Sequence, residues 1–85
     1  MMYHLSFSRR AEKEFLKLPI SIAERITEVV SDLKTDPRPP SCVKLTGSES
    51  EYRIRIGDYR ILYEISDKEQ AVTVYRIRHR KEAYR

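Results

Sequence analysis

Two short stretches hold most of the side chains in this chain that could do chemistry. Residues 51–65 read EYRIRIGDYRILYEI and carry Arg53, Arg55 and Arg60. Residues 76–85 read RIRHRKEAYR and add Arg76, Arg78, His79, Arg80, Lys81, Tyr84 and Arg85. Guanidinium groups stay charged at any physiological pH and grip phosphate oxygens two at a time. A histidine is suited to moving protons near neutrality, and a tyrosine ring can stack on a base or take part in proton transfer. Cations, one imidazole and an aromatic ring on a common surface are what gripping or cleaving RNA requires. Two plainer readings stand beside this one. Glu51 and Glu64 lie near enough in sequence to neutralise the hairpin arginines as a surface ion network, and a basic end can be simply solvated.

The elements around these stretches decide whether the groups meet. Tyr3, Leu5 and Phe7 alternate with His4, Ser6 and Ser8, the period of a half-buried strand. Ser8 suits a helix N-cap, and from Arg9 the period changes, with Ala11, Phe15 and Leu18 on one helical stripe. Leu18-Pro19 interrupts that helix. Ser21 followed by Glu24 has the form of a capping box opening a second helix, whose apolar face is Ile22, Ile26, Val29, Val30 and Leu33. So tight a junction predicts an antiparallel helical hairpin. TDPRPPS (residues 35–41) stops the second helix, because residues before proline are pushed out of the α region. Strands are then expected at 42–45, 51–56, 59–66 and 70–78, with turns at Thr46-Gly47-Ser48, Gly57-Asp58 and around Asp67-Lys68. The order predicts an α+β domain spanning residues 1–85, with an N-terminal strand and a helical hairpin packed on a mainly antiparallel sheet of four to five strands.

The Gly57-Asp58 loop fixes the register of the central hairpin. Glycine in first place suits a type II′ turn, which pairs Ile56 with Tyr59, Arg55 with Arg60, Ile54 with Ile61, Arg53 with Leu62 and Tyr52 with Tyr63. Alternation then collects Tyr52, Ile54, Ile56, Tyr59, Ile61, Tyr63 and Ile65 on the core face, and Arg53, Arg55, Arg60, Leu62 and Glu64 on the other. Like charges across a strand pair cost from a few tenths to about 1 kcal/mol, so Arg55 opposite Arg60 points to an anion between them. The last strand should bring RIRHRKEAYR alongside. Its phase is ambiguous: Val72 and Val74 have one parity, Tyr75 and Ile77 the other, which predicts a bulge near Arg76.

The bulk numbers agree with one small globular domain. The 85 residues are 40% hydrophobic and 35% charged, with only two glycines, which argues against a disordered chain. No apolar run is long enough for a membrane span and no secretory leader is evident, so a cytoplasmic protein with no membrane partner is expected. The lone Cys42 has no partner for a disulfide or a CxxC metal site and reads as a small buried hydrophobe. The net charge of +4 is unevenly placed. Residues 1–51 carry eight Lys/Arg and eight Asp/Glu, whereas residues 52–85 carry nine against five. A one-sided basic field of this kind points to a polyanion.

The layout YRIRIGDYRILYEI followed by RIRHRKEAYR, preceded by VKLTG (43–47) and a helical hairpin, resembles the RelE branch of the RelE/ParE toxin superfamily over nearly the whole chain. The family are toxins of type II toxin-antitoxin modules. The resemblance implies a ribosome-dependent endoribonuclease, an mRNA interferase that needs no metal or other cofactor, with the ribosome, mRNA and an adjacently encoded antitoxin as partners. It implies catalytic roles for Arg53, Arg55, Arg60, His79, Arg80 and Tyr84, with Arg76, Arg78, Lys81 and Arg85 on the RNA. Arg55 and Arg60 would stabilise the phosphorane, Arg53 orient the neighbouring phosphate, and Arg80 and Tyr84 serve the leaving oxygen and the base. The best-studied members carry lysine at the first two positions, and arginine is a poor proton acceptor. The general base is therefore to be sought at His79, Tyr84 or outside the chain. The alternatives are a ParE-like inhibitor of DNA gyrase without nuclease activity, or an inactive member that binds RNA or its antitoxin.

Overall fold

Ser8 sets the first corner of the molecule. Strand β1 (His4–Phe7) ends there, and helix α1 (Arg9–Leu16) begins. The Ser8 hydroxyl accepts from the Ala11 N–H at 3.1 Å, as an N-cap does, and donates to the Tyr75 carbonyl at 3.2 Å. One side chain thus starts the helix and ties it to the last strand. The structure, a computed structural model, describes residues 2–83. Helix α2 (Ile20–Asp32) follows, then strands β2 (Cys42–Lys44), β3 (Glu51–Ile56), β4 (Tyr59–Ser66) and β5 (Ala71–His79), and the short helix α3 (Arg80–Ala83).

The expected capping box does not form. Pro19 is the N-cap of α2, with φ −58° and ψ 145°, and its carbonyl accepts the Ala23 N–H at 2.9 Å. Ser21 consequently falls inside the first turn, and α2 opens with no side-chain cap. The cause lies in proline itself, which cannot continue α1 yet leaves its carbonyl free to start the next helix.

The five strands form one sheet in the order β1-β5-β4-β3-β2. All neighbours are antiparallel except β1 and β5, which run parallel from His4 opposite Ala71 to Phe7 opposite Val74. Every expected pair of the β3–β4 hairpin is found, and Gly57 has φ +58° while Asp58 does not share the positive region, as a type II′ turn requires. The Nη1 of Arg25 also lies 3.4 Å from where a Cβ on Gly57 would stand. The bulge falls where the parity conflict placed it. Leu62 faces Arg76 and Tyr63 faces Val74, so Tyr75 is the extra residue, and Val72, Val74 and Ile77 all reach the core.

That core joins the two layers. The helices contribute Ala11, Ile26 and Val30, and the C-cap of α2 adds Leu33; the sheet contributes Tyr52, Ile54, Ile56, Ile61, Tyr63, Ile65, Val72, Val74 and Ile77. Each fully buried aliphatic side chain is worth about 1.5–3 kcal/mol, and these make the sheet's helix-facing side unavailable to water. Cys42 is half-buried and packs against the same cluster. The proline connector is pinned by hydroxyls and one arginine. The Tyr63 hydroxyl donates to the Pro37 carbonyl at 2.9 Å, while Arg38 donates from Nε to the Tyr52 hydroxyl at 3.0 Å and from both terminal nitrogens to Asp67. Asp67 also accepts from the Tyr3 hydroxyl at 2.7 Å. The Arg38 guanidinium, helped by Tyr3, holds the Asp67 carboxyl below the usual range.

No helix among the described residues is long and apolar enough to cross a membrane.

Candidate functional site

The face of the sheet turned away from the helices is organised in cross-strand rows. Register places Arg55 beside Arg60 and Arg60 beside Arg78, so three arginines lie side by side on β3, β4 and β5. Neighbouring strands are about 4.8 Å apart, so the row is a band of positive charge roughly two strand spacings wide. Arg55 is exposed, and Arg60 and Arg78 are half-buried. The next row runs from Val43 through Arg53 and Leu62 to Arg76. Among the described residues neither Arg53 nor Arg55 forms an ion pair. Beyond them lie Glu51, Glu64 and Thr73, so the face passes from basic to acidic along the strands.

Tyr75 belongs to this face although sequence parity did not assign it there. The bulge turns it outward, and its hydroxyl donates to Glu51 Oε1 at 2.6 Å. Burial, then the bond to Glu51, pushes the Tyr75 phenol up to about 12. The conflict between Val74 and Ile77 is the sequence signal that could have located it.

Two candidate residues sit elsewhere than expected, or in a different role. Arg76 was grouped with the RNA-binding cations, but its Nε meets Glu14 Oε2 of α1 at 3.1 Å, with only 20% and 23% of the two side chains exposed. The other Glu14 oxygen accepts the Ile77 N–H at 2.8 Å. Since β1 ends at Phe7 opposite Val74, the second half of β5 has no strand on that edge, and Glu14 takes the missing partner's place. His79 is likewise not brought to the arginine row. It pairs with Tyr59 on the helix side of the sheet, the two rings edge to face at 5.0 Å and 88°. Its Nδ1 accepts the Lys81 N–H at 3.2 Å, which leaves Nε2 as the proton-bearing nitrogen of the neutral ring. The physical reason is the bulge, which sets the phase of residues 76–79 and puts Arg78 outward and His79 inward.

Arg80 opens α3 at the end of the sheet, its N–H donating to the Asp58 carbonyl at 2.6 Å. That bond joins the start of α3 to the Gly57-Asp58 turn, so the exposed Arg80 and Lys81 stand at the same end as the arginine row. Tyr84 and Arg85 lie outside the described residues. Among the described residues no three His, Cys, Asp or Glu side chains cluster as metal ligands do.

Chemically, the row can hold a phosphate group and stabilise negative charge that develops on it. Comparison with known proteins assigns the scaffold. The family model described as "ParE toxin of type II toxin-antitoxin system, parDE" matches residues 5–84. Toxin RelG of Mycobacterium tuberculosis is 34% identical over 89 residues, covering 100% of this chain and 99% of RelG. The mRNA interferase toxin RelE of Escherichia coli is 32% identical over 88 residues, covering 99% of this chain and 92% of that protein. The crystal structure of the archaeal RelE-RelB complex from Pyrococcus horikoshii superposes with a TM-score of 0.84 at 27% identity, over 94% of this chain and 97% of that one. A chain matched along nearly its whole length by that family model and by these toxins belongs to the RelE/ParE superfamily, as a RelE-family toxin of a type II toxin-antitoxin system.

Proposed function

We propose that the chain is a ribosome-dependent endoribonuclease, an mRNA interferase that cuts mRNA in the ribosomal A site and so stops translation. The observation that carries this reading is the row Arg55, Arg60 and Arg78, which sets three guanidinium groups side by side across three strands on the face turned away from the helices. Likeness to the E. coli mRNA interferase toxin supports it.

In the proposed reaction the 2′-oxygen of one nucleotide forms a bond to its own 3′-phosphorus and the bond to the 5′-oxygen breaks. The products are a 2′,3′-cyclic phosphate and a new 5′-hydroxyl. One proton leaves the 2′-hydroxyl and one joins the 5′-oxygen, and no metal is required. Arg55 and Arg60 hold the charge on the phosphorane oxygens, where preorganised donors count most, and Arg78 extends their row. Arg53 orients the adjacent phosphate. Arg80 serves the leaving oxygen from the end of the sheet, Tyr84 stacks or transfers a proton, and Lys81 and Arg85 hold flanking RNA. With His79 on the other side of the sheet, the proton acceptor is Tyr84 or a group of the ribosome. Positioning by the ribosome supplies much of the rate, so a weak acceptor suffices.

An antitoxin encoded beside the toxin is the expected partner, in keeping with the toxin-antitoxin complex among its structural neighbours, and both would act in the cytoplasm. A second reading, inhibition of DNA gyrase, is favoured by one observation: the matching family model is that of ParE toxins. Mapping mRNA 5′ ends after brief induction separates the two. In-frame cuts within codons are expected; intact mRNA with DNA breaks or altered supercoiling would overturn the nuclease reading in favour of gyrase.

A further inference from the structure

A recess lies at the same end of the sheet as the arginine row but on the opposite side. It has a volume of about 360 Å³ and is lined by Glu14, Lys17, Leu18, Tyr59, Ile77 and His79. That volume is within the usual range for small-ligand sites. Leu18 and Ile77 make its apolar wall. Its single carboxylate is already engaged, since Glu14 accepts from the Ile77 N–H with one oxygen and from Arg76 with the other, and Arg10 approaches at 3.9 Å. Lys17, the exposed C-cap of α1, therefore sets the sign of the mouth. Tyr59 and His79 meet edge to face at the recess wall, and His79, with Nδ1 accepting from the Lys81 N–H, has Nε2–H as its donor.

We propose that this recess binds a nucleotide, its base stacked in the Tyr59–His79 corner and its phosphate on the Lys17 ammonium. A ligand that is both flat and anionic suits the two rings and the Lys17 ammonium, and base–aromatic stacking accepts any of the four bases. The recess also lies on a continuous route. Arg60 and Arg78 face one another on the outer side, and the adjacent pair, Tyr59 and His79, faces the inner side. A single residue of strand separates the phosphate row from the recess, with Arg80 and the Gly57-Asp58 turn at the rim between them. An RNA strand leaving the arginine row around the end of the sheet would place its next base here. This explains why two ring side chains and a cation meet on the side that the arginine row does not use. The proposal rests on the nuclease reading only for the source of the nucleotide.

The test is a titration of the purified full-length chain with adenosine 5′-monophosphate and, separately, inorganic phosphate, followed through the aromatic NMR signals of Tyr59 and His79. Saturable shifts of both rings by the nucleotide are expected, with phosphate alone at least ten-fold weaker. Lys17→Glu, an exposed change at a helix end, should weaken the nucleotide at least ten-fold with an otherwise unchanged spectrum, whereas Arg60→Ala should leave these shifts in place. Ring signals that do not move, equal affinity for phosphate, or unchanged affinity in Lys17→Glu would overturn the proposal. Failure here with in-frame mRNA cuts sinks the recess alone; nucleotide binding with intact mRNA sinks the nuclease reading alone.

Discussion

Arg38 and Arg76 differ in their setting from Arg55, Arg60 and Arg78. The first two each face a carboxylate: Arg38 grips Asp67 with both terminal nitrogens, and Arg76 meets Glu14 where both side chains are mostly covered. Each closes a seam of the fold, the proline connector in one case and the uncovered edge of β5 in the other. The other three stand beside one another on an outward face. Each cross-strand neighbour in that row is a like charge, a pairing that by itself is unfavourable. Arg38 and Arg76 are tied to carboxylates of other elements, whereas Arg55, Arg60 and Arg78 are set beside one another by strand register.

Removing one arginine from the row should therefore separate activity from stability. Arg60→Ala is expected to lower ribosome-programmed mRNA cleavage by about 10²–10³-fold, the usual cost of one preorganised donor, and to relieve growth arrest. Its melting temperature should stay within about 5 °C of the parent, because Arg60 lies outside the apolar core. A variant that melts much earlier while cutting at the parent rate would reverse the assignment of the two classes.

The reciprocal change lies at Glu14. Glu14→Ala leaves the Ile77 N–H and the Arg76 guanidinium without their acceptor in a half-covered site, which should cost about 2–3 kcal/mol. For a domain of this size that is a fall of roughly 10–20 °C in Tm. Glu14→Gln keeps an oxygen for Ile77 and should lose about half as much. If both variants melt with the parent, the β5 edge does not depend on this carboxylate, and Arg76 is available for RNA after all.

Much of this comparison was legible in the sequence, and the illegible part has identifiable causes. A two-residue turn with glycine first, flanked by strict alternation, determined which residues face Arg55 and Arg60. Here local pattern and tertiary structure state the same thing. The bulge was legible as a conflict of parity between Val74 and Ile77, but not the side on which His79 would emerge from it. Glu14 gave no local signal, because its role depends on β1 stopping short along β5, and that parallel pairing joins residues nearly seventy positions apart. Pro19 misled for the opposite reason. Ser21 and Glu24 have the spacing of a capping box, yet the proline carbonyl started the helix two residues earlier.

The smallest effect is expected at the other paired arginine, and it carries a sign. The hydrogen bond from Arg38, then that from Tyr3, lowers the Asp67 carboxyl below its ordinary 3.8. A carboxyl whose folded value is depressed binds fewer protons when folded than when unfolded. Its contribution is thus fully present above the unfolded value and is lost as pH falls through the folded one. Asp67 is exposed, so the contribution is small and weakens further with salt. The parent should accordingly lose stability more steeply below about pH 4 than Asp67→Asn, with the two converging in acid and differing most near neutrality. Melting curves from pH 2 to 7 at low salt measure this directly. Parallel profiles would mean that Arg38 holds the connector through its bond to the Tyr52 hydroxyl and its stacking 5.3 Å above that ring, not through the carboxylate.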